Sequence, residues 1–359
     1  MDFNNYKPVE PSASAPIPTA IPLQSPPPPS PPPPPRKKGI VWKIFWGIVL
    51  VLSILTNLLL LAALGGMAAL LSSTAFRGVE RQFEESVLIE GPRHQTLAVL
   101  NLKDIIDETA SEQVRKQLEQ AANDTSIRGI IVRIISPGGY VSSSDQIYNE
   151  IKRFRERTGK PAVAFMQSVA ASGGYYSAVA CDKIVAEPTV ITGSIGVILS
   201  HLVIQDLLEQ KLGINPVVVK SGEKKDWPSL FHRTTEEQTA YLKEKLIQPA
   251  FERFLEVVCE GRRDVLTPEE VRRLADGSIY PAPEALQKRL IDQIGYLHDA
   301  VAVTEQLAGI QGSRVIEYKE RFAFWDLLAA QGKTSFKFDT KTLHQWTTPQ
   351  LMYLWDGRP

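Results

Sequence analysis

One feature dominates the polarity pattern: from Ile44 to Leu71 the chain runs for 28 residues without a charge. About 20 residues at roughly 1.5 Å rise cross a hydrocarbon core, so the run predicts a membrane-spanning helix. A cleavable signal peptide would have an apolar region of roughly 7 to 15 residues near the N-terminus. Here a 43-residue preface comes first, and the expectation is an uncleaved anchor, even though Ser72-Ser73-Thr74-Ala75 offers small residues after the run. Arg36, Lys37, Lys38 and Lys43 flank the N-terminal side, against Arg77 and Arg81 beyond it. By the positive-inside rule the preface is cytoplasmic and the larger C-terminal part lies outside. Fourteen of the 26 prolines fall between Pro8 and Pro35, so residues 1–38 read as a polyproline or disordered tail.

Beyond a polar linker at 77–95, short apolar runs alternate with amphipathic segments. Thr96 to Leu102, Gly129 to Ile135, Pro161 to Met166, Lys183 to Ala186, Gly196 to Leu199 and Pro216 to Val219 read as strands. Ala110 to Ala122, Val141 to Arg157, Gly173 to Ala180 and Val203 to Leu212 read as helices. GIIVRII at Gly129 to Ile135 is apolar on both faces, as a buried parallel strand requires. Further helices are expected at Thr235 to Glu260, Thr267 to Ala275 and Pro283 to Leu290, with start signals in Thr235-Glu-Glu and Thr267-Pro-Glu-Glu. The alternation predicts an α/β domain over 96–312, a parallel sheet with crossover helices, followed by a C-terminal extension at 313–359.

Charge narrows the partners. Lys+Arg and Asp+Glu are both 40, so no basic excess exists to grip a phosphate backbone, and nucleic acid is not expected as a partner. Cys181 and Cys259 belong to no Cys-x-x-Cys or Cys/His cluster, which argues against a zinc site and leaves the redox compartment open.

Three glycine turns fall where strands should meet helices. Ser136-Pro137-Gly138-Gly139 follows the buried strand, and its glycines allow backbone N–H groups to approach a ligand; a tight turn is the plainer explanation. Ala170-Ala171-Ser172-Gly173-Gly174-Tyr175-Tyr176 puts a serine among the smallest side chains at a helix start, suited to a nucleophile but equally to an N-cap. Its doubled glycine sacrifices roughly 1 kcal/mol of helix propensity per residue, which favours a close backbone approach. Thr192-Gly193-Ser194-Ile195-Gly196 lacks the Gly-Lys-Ser/Thr ending of a nucleotide loop. None of the five histidines (His94, His201, His232, His298, His344) sits in a glycine turn, so a lysine of Lys220-Ser-Gly-Glu-Lys224-Lys225-Asp226 is the other candidate base. Periodicity alone makes that loop an ordinary solvated one.

The order SPGG, ASGGYY, TGSIGV, KSGxxKD behind one membrane anchor resembles the signal peptide peptidase A family of membrane-bound serine peptidases, from about Thr96 to Thr304 and including DGSIYPAPEALQKRLIDQIG. The resemblance implies a fold similar to the Clp protease and crotonase superfamily. It assigns Ser172 as nucleophile, Lys225 as general base, Ser194 as the serine that hydrogen-bonds the base, and the Gly139 N–H as oxyanion donor. It also implies no metal or cofactor, peptide substrates such as released signal peptides, a bacterial inner-membrane location, and a homo-oligomer, an octamer, whose neighbouring subunits supply the serine and lysine of one site. Lys225 would have to be neutral to act, its pKa falling from about 10.4 towards 7 or 8 by desolvation. Two departures stand out: Ile135 where the family often has Asn or Asp, and Lys224 beside the base. An envelope quality-control protease shares every one of these residues, and the superfamily also holds acyl-CoA hydratases and inactive scaffolds.

Two aromatic patches, Phe322-Ala-Phe-Trp-Asp-Leu-Leu and Leu351-Met-Tyr-Leu-Trp355, lie outside the resemblance. They read as ordinary core; the alternative is that the last segment, apolar and extended like a substrate, lies over an active-site groove or a neighbouring subunit.

Overall fold

The computed structural model describes residues 39–75, 83–320, 349–355 and 357, in two units, Met1–Arg77 and Gly78–Pro359. The proline-rich tail and the Phe322 patch lie outside the described residues. In the first unit α1 runs from Ile40–Ala75 and contains an apolar span, Trp42–Gly66, of 25 residues with mean hydropathy 2.6. Within Trp42–Gly66 the leucines and isoleucines are exposed all round, as on Leu59 (72 %) and Leu61 (66 %). A helix apolar on every face suits lipid, where all backbone bonds must close internally.

The second unit begins with β1 (Phe83–Ile89), β2 (Thr96–Lys103), α2 (Glu108–Asn123), β3 (Ile127–Ser136), β4 (Gly138–Tyr140) and α3 (Val141–Thr158). Next come β5 (Ala162–Ala171), α4 (Gly173–Ala178), β6 (Lys183–Ala186), β7 (Ile191–Gly193) and β8 (Ile198–Ser200). Then follow α5 (Glu236–Leu242), α6 (Gln248–Gly261), α7 (Pro268–Leu274), β9 (Ile279–Pro281), α8 (Ala282–Gln287), β10 (Gln293–Ile294), α9 (Leu297–Ala308), β11 (Arg314–Glu320) and β12 (Gln350–Leu354).

The main sheet has the order β1-β11-β2-β3-β5-β6-β10, with β7 beside the end of β5 and β9 beside β7. Its centre is parallel, and only β1 and β9 pair antiparallel. This is the expected α/β class. Alternation explains the layers. Leu97, Val99, Ile131, Val163 and Phe165 face Ala300 and Val301 of α9, whereas Ala98, Leu100, Ile130 and Val132 share a cluster with Val114 and Leu118 of α2 and Ile147, Ile151 and Phe154 of α3. Helix starts follow their caps: Asp107 accepts from the Ala110 N–H (2.8 Å), and Thr235 and Thr267 each complete a capping box.

Three expectations need correction. Part of the stretch read as a linker, Phe83–Ile89, is a sheet strand, held by pairing with β11 and by Phe83 against Tyr318 (6.2 Å between ring centroids). Both strands come from opposite ends of the domain, and β11 brings the start of the expected extension into the main sheet. Val203 to Leu212 is not one α-helix; it ends in a π-wound turn, Leu207–Lys211. Pro216 to Val219 forms no strand, because it meets no sheet edge: Val217 is 85 % and Val219 95 % exposed.

Phe165 is fully buried, so Phe165→Ala should cost about 3 to 5 kcal/mol, whereas Leu88→Ala on the edge strand should stay within about 1 kcal/mol. Urea unfolding of the purified chain followed by circular dichroism checks both.

Candidate active site

The three glycine turns lie at the carboxyl ends of neighbouring parallel strands β3, β5 and β7, where open α/β sheets place their sites. The first turn is fixed by Ser136, whose Oγ donates to the Asp104 carbonyl (2.5 Å) and accepts from the Gly138 N–H (3.1 Å). Ile106 then pairs with β4: its N–H donates to Gly138 O (2.9 Å) and its carbonyl accepts from Tyr140 N–H (2.8 Å). Gly139 has no room for a β-carbon, which would sit 2.1 Å from the Ile106 oxygen. With Gly138 O and Tyr140 N–H turned to Ile106, the Gly139 N–H and carbonyl face the opposite side of the strand.

Ser172 joins β5 to α4 with φ 52° and ψ −114°. A non-glycine residue at positive φ is held there only by its surroundings. The Ser172 N–H donates to Gly193 O (2.8 Å) and its carbonyl accepts from Tyr176 N–H (2.8 Å). Its side chain makes no capping bond, so Ser172 occupies the N-cap position without doing an N-cap's work, and it is only 1 % exposed. A serine on a sharp, strained strand-to-helix turn is the geometry of a nucleophile elbow. The doubled glycine also has its reason. A β-carbon on Gly173 would lie 3.2 Å from Gly138 Cα and Gly139 N, and one on Gly174 would lie 2.9 Å from Ser136 O.

Ser194, also at positive φ (50°), follows β7, and its N–H donates to Ser278 O (2.7 Å). It lines a cleft of about 440 Å³ with Val197, Ile198, Phe251, Leu354 and Trp355. The structure thus brings Gly139, Ser172 and Ser194 to one edge of the sheet. Lys225 is not joined to them: it is exposed on the short turn Glu223–Asp226, with no hydrogen bond to Ser172 or Ser194 among the described residues. Its neighbours are engaged. Lys220 pairs with Asp226 (2.7 Å), holding that carboxyl below the usual range, and Lys224 lies over Tyr241 (4.3 Å) and Trp227 (5.3 Å). Among the described residues the Lys225 side chain alone of the three has no ion pair, hydrogen bond or ring contact.

Sequence reasoning missed the surroundings of Ser172. The Ser144 hydroxyl is buried without a partner among the described residues, 2.4 Å from where a Gly173 β-carbon would be. Its only sequence signal is the Ser142-Ser143-Ser144 run. Burial, and then the bond to Asp145 (2.5 Å), pushes the Tyr176 hydroxyl well up. Cys181 is buried with its thiol pushed up to about 12 by desolvation, which leaves it inert at neutral pH, and both cysteines are free. No group of three or more His, Cys, Asp or Glu side chains is placed to hold a metal among the described residues.

The model of peptidase family S49 matches residues 154–311, and the Clp protease model matches residues 94–184. A protein of Enterococcus faecium provisionally named signal peptide peptidase SppA is 31 % identical over 80 % of this chain and 90 % of its own length. Protease 4 of Haemophilus influenzae is 32 % identical over 59 % of this chain and 34 % of its own length. For the chloroplastic serine protease SPPA of Arabidopsis thaliana the figures are 34 %, 56 % and 29 %. This chain therefore spans about a third of these two longer relatives. A solved structure, a ClpP1 mutant from Listeria monocytogenes, aligns with TM-score 0.37 at 18 % identity, covering 58 % of this chain and 95 % of that one. With nine tenths of the Enterococcus relative matched, and the S49 model spanning the segment that carries the ASGG and TGS turns, this chain belongs to peptidase family S49, the signal peptide peptidase A family of serine peptidases.

Proposed function

We propose that this chain is a membrane-anchored endopeptidase that cleaves extended apolar peptides, such as released signal peptides, through a Ser172/Lys225 dyad. The observation that carries the reading is Ser172 itself, strained, buried and not capping its helix, beside the backbone turn whose Gly139 N–H faces away from Ile106, towards β12. Ser172 Oγ attacks the peptide carbonyl and passes its proton to Lys225 Nζ. The Gly139 N–H takes the developing oxyanion, the amine leaves with that proton, and water activated by Lys225 hydrolyses the acyl-enzyme. Ser194 orients the lysine.

A solvated lysine is an ammonium at neutral pH and accepts no proton; it must be desolvated to serve as base. Lys225 is exposed in one chain. The arm leading to it is apolar and equally exposed, at Leu212 (57 %), Ile214 (50 %), Val217 and Val219. Exposed apolar patches of this kind are covered by partners. Both facts support a ring-like homo-oligomer, an octamer, in which the arm of one subunit carries Lys225 to Ser172 of the next. The apolar helix α1 and its basic N-terminal flank support a single-pass anchor in a bacterial inner membrane, with the tail cytoplasmic and the catalytic unit outside.

Ser172→Ala and Lys225→Ala should each lower kcat/KM by roughly 10³-fold or more, while Lys220→Ala and Lys224→Ala keep most activity; hydrolysis of a quenched fluorescent peptide measures all four. Full activity in Lys225→Ala contradicts the dyad. Mixing the Ser172→Ala and Lys225→Ala chains should restore part of the activity, since some mixed sites receive both residues; a fully active monomer in sedimentation would contradict the shared site. Protease added to intact spheroplasts should digest residues beyond Arg77, and their protection would reverse the topology.

A further inference from the structure

Along the charge-free run from Ile44 to Leu71, only Ser53, Thr56 and Asn57 carry a hydroxyl or an amide. All three lie within the apolar span Trp42–Gly66, and Asn57 falls at the centre of the charge-free run. A hydroxyl can be satisfied within its own helix, and Thr56 is: its Oγ1 donates to the Leu52 carbonyl (2.8 Å). Asn57 is not satisfied in this way. A carboxamide has two N–H donors and a carbonyl oxygen with two lone pairs. Its Nδ2 donates to the Ser53 carbonyl (2.8 Å), which uses one donor, and no hydrogen bond among the described residues reaches its Oδ1. Asn57 is exposed on the helix surface, and at that depth a bilayer offers no water to take the remaining groups.

The positions around Asn57 have the spacing of a helix pair. Leu50, Ser53, Asn57, Leu60 and Leu64 recur at steps of three and four, the a/d seam of a heptad, with Asn57 at an a position. Ser53, one turn before it, is small, and small side chains let two backbones approach closely enough for interhelical hydrogen bonds. Leu55 and Leu59 fall on the far side of the helix and carry hydrocarbon alone.

The chemistry selects the occupant of this face. Two copies of one anchor enter the membrane in the same direction, so their helices run parallel and equal a positions meet. A carboxamide is its own complement, because each Asn57 can offer an N–H to the other's Oδ1. Neither an acyl chain nor a wholly apolar helix supplies that partner.

We propose that α1 pairs with α1 of a second copy through a seam centred on Asn57, whose carboxamides hydrogen-bond to one another across the pair. The inference rests on the reading of α1 as a membrane anchor and goes beyond the ring of catalytic units. That ring asks nothing of the anchors except attachment, whereas this seam gives them a partner and a register of their own. A single Asn at an a position is the device that fixes register and helix number in heptad seams. Pairing in the membrane also holds two catalytic units at high effective concentration, which favours the sharing of Ser172 and Lys225 between chains.

Disulfide cross-linking of the full chain in native membranes tests the seam. Single cysteines are introduced as Leu50→Cys, Leu60→Cys, Leu55→Cys and Leu59→Cys, and the unsubstituted chain gives the background from Cys181 and Cys259. Copper–phenanthroline oxidation should convert Leu50→Cys and Leu60→Cys to a band of twice the chain's mass at least about fivefold more efficiently than Leu55→Cys and Leu59→Cys. Adding Asn57→Leu to Leu60→Cys should weaken that band about fivefold or more, and adding Asn57→Gln should retain most of it. Leucine is favoured at the centre of a membrane helix, so Asn57→Leu keeps the helix and its insertion. Equal cross-linking from both faces, an undiminished band in Asn57→Leu, or cross-links to a different protein alone overturns the pairing. Extraction of the chain from membranes by alkaline carbonate sinks the anchor reading and the pairing with it, whereas a chain that resists extraction and fails to cross-link sinks the pairing alone.

Discussion

The backbone of Gly173 and Gly174 lies against that of Ser136 to Gly139 with no space for a β-carbon between them. This contact sets the position of everything else in the site. It joins the ends of β3 and β5 more closely than side chains would allow, and it forces the chain to turn from strand to helix within one residue, Ser172. The strain of that residue's positive φ is held by bonds from its N–H to β7 and to its carbonyl from Tyr176. The arrangement costs helix propensity at two glycines, and what it gains is a serine and the Gly139 N–H, turned away from Ile106, on one edge.

How much of this was legible in the sequence depended on how local each feature is. The parallel centre was legible because β2, β3 and β5 are apolar on both faces and separated by amphipathic helices, a pattern that only a covered sheet explains. The turns were legible as glycine motifs, and their order supplied the family. Not legible was the closeness of SPGG to ASGG, which depends on β3 and β5 being neighbours. The pairing of β1 with β11, and of β12 with β4 and β8, joins segments far apart in sequence, and short polar-flanked runs such as FEESVLI carry no sign of a distant partner. The Val217 to Val219 run has a strand's composition without a strand's environment, since β propensity describes a fit to a half-buried pleated surface that this arm does not meet within one chain.

On the proposed function, one subunit presents half of a reaction centre: Ser172 and the Gly139 N–H sit in a frame of buried strands, and Lys225 lies on an exposed apolar arm with no hydrogen bond to Ser172 or Ser194 among the described residues. A protease divided in this way would stay unreactive until its parts assemble. Closed symmetry would add a limit on which chains can enter.

The central claim, that Ser172 is a nucleophile activated by Lys225, is tested most directly by covalent labelling with a fluorophosphonate followed by peptide mass spectrometry. The account predicts a single adduct on Ser172 in the assembled protein, retained in Lys224→Ala and lost in Lys225→Ala. An adduct on a different residue, or undiminished labelling of Ser172 in Lys225→Ala, would contradict it.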